Sequence, residues 1–194
     1  MNALIPPTAS QRRGVQKALA ISEAKYLEPL EPPWSSESFS SILHRGAPLL
    51  RVKASPEAVE RAKEVVNVTF STSADLIAYR DALVQASTLG TSDEIASRAM
   101  IGMLLDAFPH SRPPNLDAYA GSMLHDVASM GFNPAVVAAA CRELRRTLKF
   151  PPAISEMVAA CEAERERYER LSRLAATQAE ILGRAEQLIA GAEE

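Results

Sequence analysis

The chain has 194 residues, of which 47% are hydrophobic, 23% charged and only 5% aromatic, with a formal net charge of −3. That balance suits a soluble globule filled by aliphatic residues and alanine rather than rings, long enough to bury about 70% of its extended-chain surface as one domain plus an appendage. No run approaches the roughly 18 apolar residues of a membrane span, and an opening of Met1–Ile5 followed by Pro6 and Pro7 lacks the charged-then-apolar order of a secretory signal, so the expected location is cytoplasmic.

The average conceals a division. The chain carries +3 through Ser55 and −6 from Pro56 onward, and 6 of its 13 prolines precede Pro56. Between Glu28 and Ser41 prolines alternate with Ser and Glu around Trp34. Such a segment buries too little apolar area to offset its ordering entropy, so residues 1–54 are expected to form a disordered or extended tail. A partial stripe of Val15, Leu19 and Ile21 leaves room for a short helix over residues 11–26.

From Ser55 the signals are helical. Ser55, Pro56 and Glu57 supply a cap, a proline at the first helical position and a first-turn acid. Val59, Ala62, Val65 and Val66 then form one face. A second helix is predicted from Ser73 or Asp75 to about Thr88, ending where Gly90 can take the left-handed conformation. Thr91 and Glu94 have capping-box spacing for a third, with Ile95, Met100, Ile101, Met103, Leu104 and Leu105 apolar and a stop before Pro109. After the breaker His110–Pro114, a fourth helix runs from about Asn115 to Met130 and closes at Gly131. The fifth opens with Asn133 and Pro134, carries Val137, Ala140, Cys141, Leu144 and Leu148 down one face, and ends near Lys149 because Phe150 precedes Pro151.

The last segment, from Pro152 to about Ala190, reads as one helix of roughly 58 Å. Its inner half carries Ile154, Met157, Val158 and Cys161. Tyr168, Leu171, Leu174, Ile181, Leu182, Ala185 and Leu188 continue as an approximate heptad stripe, with Glu166–Arg170 and Glu169–Arg173 at favourable i, i+4 spacing. No alternating strand pattern of useful length occurs. The expected fold class is all-α: a compact multi-helix bundle over 55–162, a disordered Pro-rich tail over 1–54 and a long amphipathic C-terminal extension over 163–194.

Signatures of catalysis and of metal or cofactor binding are missing. No Gly-x-x-x-x-Gly-Lys loop cradles phosphate, no His-Glu-x-x-His or Cys-x-x-Cys is present, and His44, His110 and His125 lie far apart. His125 and Asp126 point to different helix faces, and Asp93-Glu94 reads as a first-turn dipole pair. Cys141 and Cys161 lack metal spacing and read as small buried apolar groups. The expectation is a non-enzyme with no cofactor.

Two features are candidates for binding. Arg142, Arg145, Arg146 and Lys149 form a basic strip at spacings of three, four and seven, placed to meet phosphates or an acidic protein surface, while also complementing the helix dipole. Leu171, Leu174, Ile181 and Leu188 form a stripe for docking in a groove, for a homodimeric coiled coil, or for packing on the chain's own bundle. Between them, Lys149-Phe150-Pro151-Pro152 makes a stiff corner from which Phe150 is expected to plug into the bundle.

The stretch from Asp93 to about Arg167 resembles the phage replicative-helicase loader and inhibitor family, small all-helical proteins that bind a DnaB-type hexameric helicase. The resemblance rests on Ala107-Phe108-Pro109, on Asp117-Ala118-Tyr119 with Leu124, on Val136 to Ala140, on Arg145 to Pro152, and on Ile154-Ser155-Glu156. It implies a helical bundle and a non-catalytic role in phage or prophage DNA replication, with a hexameric replicative helicase as partner. On that reading, the residue pattern makes the basic strip and the C-terminal stripe the expected contact residues. Direct DNA binding through the strip and homodimerisation through the C-terminal helix are further expectations. Two other readings remain open: a DNA-binding regulator dimerising through its last helix, and a structural coiled-coil phage component.

Overall fold

A computed structural model describes residues 23–32, 42–67, 72–90, 92–111 and 113–192. Among them the fold is all-α with no strand. Six helices follow in order: α1 (Pro56–Asn67), α2 (Ser73–Ser87), α3 (Glu94–Asp106), α4 (Leu116–Ser129), α5 (Pro134–Thr147) and α6 (Ile154–Ala190). Short 3-10 turns occupy Glu28–Leu30 and Ala47–Arg51, continuing helical residues 23–27 and 42–46. No helix of the described residues is long and apolar enough to cross a membrane.

The caps explain where the helices begin. Ser55 Oγ accepts from the Ala58 amide at 3.2 Å. At α2, Thr72 Oγ1 accepts from the Asp75 amide at 3.2 Å while the Asp75 carboxylate accepts from the Thr72 amide at 2.8 Å. This reciprocal pair is a capping box, and its bonds from the Thr72 backbone and hydroxyl hold the Asp75 carboxyl below its ordinary pKa. The third helix corrects the expected Thr91–Glu94 box: its cap is Asp93, whose carboxylate accepts from Ala96 at 3.0 Å. Aspartate lies nearer the helix and is among the strongest capping residues. Asn115 and Asn133 cap α4 and α5 through the amides of Ala118 and Ala135.

The described residues cluster into two compact units, neither of them a contiguous stretch. One combines those up to Pro29 with Ala86–Arg167; the other combines those within Leu30–Gln85 and Tyr168–Glu194. The expected sequential division at 54 and 162 is therefore replaced by one in which each unit gathers distant segments. In the first unit α3 packs on both α4 and α5. Its buried residues include Met100, Ile101, Leu104, Leu105, Met123, Val127, Phe132, Met157 and Cys161. From Pro134 to Cys141 every residue of α5 is buried, and runs of alanine let neighbouring backbones come close on all sides. One apolar prediction fails here: Ile95 is 84% exposed, because it lies on the outward face of the first turn of α3.

The second unit has a core of Ile42, Leu49, Ala58, Ala62, Val65, Leu76, Ala179, Ile181, Leu182, Ala185 and Leu188. Residues 42–51, expected to be extended, are helical, and Ile42 and Leu49 are buried. Their apolar area is covered by α1 and Leu76 and by α6 residues more than a hundred positions away, which a local entropy argument does not count. The tail reading of 1–22 and 33–41, and most of the helix expected over 11–26, fall outside the described residues. Tyr79 donates from its phenol to the Leu30 carbonyl at 3.2 Å. The Glu186 carboxylate accepts from both the amide and the hydroxyl of Ser73, at 3.1 and 2.6 Å, and so supplies a second acceptor at the start of α2.

In the first unit the helix exits are joined at glycine. Gly90 and Gly131 have φ of +88° and +69°, and the Gly90 amide donates to the Gly131 carbonyl at 2.8 Å. A β-carbon on Gly131 would lie 2.8 Å from the Gly90 nitrogen, whereas one on Gly90 would meet nothing. Gly90→Ala should therefore cost only the left-handed strain, about 1 kcal/mol, and Gly131→Ala about 1–3 kcal/mol more from backbone overlap. Urea denaturation of both variants measures the gap, and equal losses would show that this joint is loose in solution.

Candidate functional site

The site is built at the end of α5 and the corner leading to α6. The buried first half of α5 leaves only its last turns to reach solvent, and there the four predicted cations fall in different places. Arg145 is turned inward: its Nη2 donates to both carboxylate oxygens of Glu23, at 2.9 and 2.7 Å. The two side chains are 21% and 11% exposed. Its Nη1 is buried with no hydrogen-bond partner among the described residues. Arg142 is half-buried, and Arg146 and Lys149 are exposed. The strip expected as one binding surface is thus divided, with Arg145 committed to structure and Arg146 and Lys149 open to solvent.

The corner itself is stiff. The Leu148 amide donates to the Leu144 carbonyl at 3.0 Å while Leu148 has already turned to extended backbone, at φ −95° and ψ 148°. Phe150 is held out of helical geometry by Pro151. Pro152 is buried, and its carbonyl accepts from the Tyr119 phenol at 2.6 Å. Burial, and behind it the Glu156 carboxylate, push that phenol above its ordinary pKa. Glu156 in turn accepts from the Ala153 amide at 2.6 Å, starting α6.

This geometry corrects the expected role of Phe150. Its ring does not plug into the bundle but stands 66% exposed, forgoing most of the roughly 1.5–3 kcal/mol that burying such a side chain contributes. Phe108 is buried and Tyr119 half-buried, as anchors of their junctions. The other described rings, Tyr26, Tyr79, Phe132 and Tyr168, are also buried or half-buried.

The C-terminal stripe is largely consumed by the fold. Ile181 and Leu188 are buried in the core of the second unit. Leu171 is half-buried and Leu174 is 38% exposed. The expectation of an exposed docking stripe is corrected accordingly, because the chain covers this seam with its own residues 42–51 and α1.

Shallow depressions lie elsewhere, and two of them bring polar side chains together. One, of about 390 Å³, is lined in the first unit by Glu94, Arg98, Leu124, His125 and Ser129 among others. His125 is exposed there, while Ser129 donates to the Asp126 carbonyl at 2.8 Å. The other, of about 530 Å³, lies in the second unit beside Pro56, Val59, Arg184 and Leu188, where Arg184 donates to the Val52 carbonyl at 3.2 Å. Among the described residues no cluster of three metal-capable side chains occurs. Both cysteines are buried free thiols. Burial pushes them up, Cys161 to about 12 and Cys141 higher still.

Sequence reasoning missed three participants. Glu23 lies 122 positions from its arginine, and no local pattern marks it. Exposed Leu89 and Met130, 48% and 43% accessible, flank the Gly90–Gly131 joint, which only the fold brings together. Comparisons of the chain with protein-family models, with curated proteins and with solved structures find no match.

Removing Glu23 leaves a charged, partly buried guanidinium without its partner, so Glu23→Ala should cost about 2 kcal/mol in urea denaturation. Arg146→Ala should cost under about 0.5 kcal/mol. A negligible loss for Glu23→Ala would show that the pair does not persist in solution. The thiols should resist a disulfide reagent at pH 8 in the native protein and react once it is unfolded. Since their folded pKa values are raised, their contribution to stability is complete below about pH 9, the ordinary value, and declines as pH rises toward 12. Fast native labelling would contradict the burial.

Proposed function

We propose that this protein is a phage or prophage DNA-replication accessory protein that binds a hexameric replicative helicase, loading or restraining it without catalysing a reaction of its own. The observation that carries this reading is a coincidence of boundaries. The residues that resemble the loader and inhibitor family, Asp93 to Arg167, fall within one of the two compact units, whose second segment is Ala86–Arg167.

Within that unit the resembling elements serve as joints. Phe108 is buried where α3 ends, and Tyr119 on α4 ties down the Pro152 corner. The contact surface falls to side chains the fold leaves open, Leu89, Ile95 and Met130, since Ile181 and Leu188 are committed to a core. Exposed apolar groups of this kind are the common currency of protein docking sites. The alternative of a DNA-groove helix is less well served, because α5 is buried along its first half, where recognition helices usually present base-reading side chains.

Mixing the full chain with the hexameric replicative helicase of its host at micromolar concentration, followed by gel filtration and ATPase assay, tests the reading. A complex should form and the ATPase rate should change. Ile95→Asp combined with Met130→Asp should weaken the complex at least tenfold while circular dichroism stays unchanged. Absence of any complex at micromolar concentration overturns the reading.

A further inference from the structure

The corner between α5 and α6 unites three properties that the helicase reading does not use. Phe150 is 66% exposed. Arg146 and Lys149, on either side of the last turn that leads to it, are exposed and have no ion-pair or hydrogen-bond partner among the described residues. The segment from Arg142 to Pro152 holds four cations and the single acid Glu143, a local +3 in a chain of net −3. We propose that this corner binds single-stranded nucleic acid, with Phe150 stacking on a base and Arg146 and Lys149 taking the flanking phosphates.

The cations alone would suit any polyanion. The ring narrows the choice. A polyanion of carboxylates alone presents no planar apolar group to cover a phenylalanine face, whereas every nucleobase has a π-face, and stacking of this kind is tolerant of sequence. A duplex keeps its bases stacked on each other and hidden from an exposed ring, which favours the single strand. The site is also pre-organised. Pro151 and Pro152 stiffen the backbone, and the Tyr119 bond to the Pro152 carbonyl fixes the corner to α4, so little ordering remains to be done on binding.

Two acids border the patch, against the three cations Arg142, Arg146 and Lys149. Glu156 is occupied by the Ala153 amide, and Glu143 lies one turn before Arg146 and Thr147, exposed. Arg145 is withdrawn into its pair with Glu23. Two cations therefore carry the electrostatic part, which sets the expected salt dependence.

The test is fluorescence anisotropy of a labelled 15-nucleotide oligothymidine titrated with the full chain, with no helicase present, so that its outcome is separate from that of the helicase assay. Binding should fall in the range of about 1–100 μM, typical of sequence-independent contacts. For two phosphates the slope of log affinity against log salt should be about −1.4. Phe150→Leu, which keeps an apolar side chain but loses the ring, should weaken binding about tenfold, while Phe150→Tyr should retain it. Arg146→Glu with Lys149→Glu should abolish both the binding and the salt slope. All three substituted positions are exposed, so circular dichroism of each variant should match the parent. No anisotropy change, equal binding by Phe150→Leu, equal affinity for the duplex, or equally effective competition by polyglutamate would each overturn the proposal.

Discussion

The first unit depends on the close burial of α5. From Pro134 to Cys141 the helix has no outward face, which is tolerated only because most of those residues are alanine, valine or cysteine, with no polar group to satisfy. Larger side chains would force the neighbours apart and create strain or voids. The consequence is positional. A helix buried along its first half can offer function only at its far end, so the cations of the last turns and the proline corner beyond them become the unit's accessible chemistry.

That arrangement also explains why one arginine behaves unlike its neighbours. A guanidinium entering a region already closed by small residues must bring an acceptor with it, since an unpaired buried charge costs several kcal/mol. Glu23 meets the requirement from far upstream, and in doing so docks a short N-terminal helical segment on the unit. Arg146 and Lys149, a position or a turn later, sit beyond the closed region and need no such partner. The boundary between structural and available charge thus runs between two consecutive arginines.

Much of the fold was legible because helix ends are written locally. Ser55, Asn115 and Asn133 act as caps, Pro56 and Pro134 open helices, and Gly90 and Gly131 take the left-handed conformation. The errors arise where the deciding partner is distant in sequence. Residues 42–51 read as too polar and proline-broken to order, yet Ile42 and Leu49 join α1 and α6 in one core. The heptad stripe around Ile181 and Leu188 reads as suited to an outside groove, a second copy or the chain's own bundle, and only the fold selects the last, with cover mostly from the first third of the chain. At Phe150 the local rule correctly ended the helix but carried no information about which way the ring would turn. The candidate site was legible as residue types at helical spacing, and only the fold separated Arg145 from the exposed cations.

The backbone bond between Gly90 and Gly131 closes a ring of about forty residues that contains all of α3 and α4. Closing a loop of that size costs on the order of 3 kcal/mol in chain entropy, a modest sum that the packing of α3 on α4 readily outweighs. Because both ends of the ring are glycines meeting through main-chain atoms, its register rests on loop length and on the absence of a side chain at Gly131. An inserted or deleted residue in the α3–α4 connection would disturb the ring more than most substitutions along its surface. The pair is in effect a short-range hairpin of helices, the sort of contact of low sequence separation that chains form fastest.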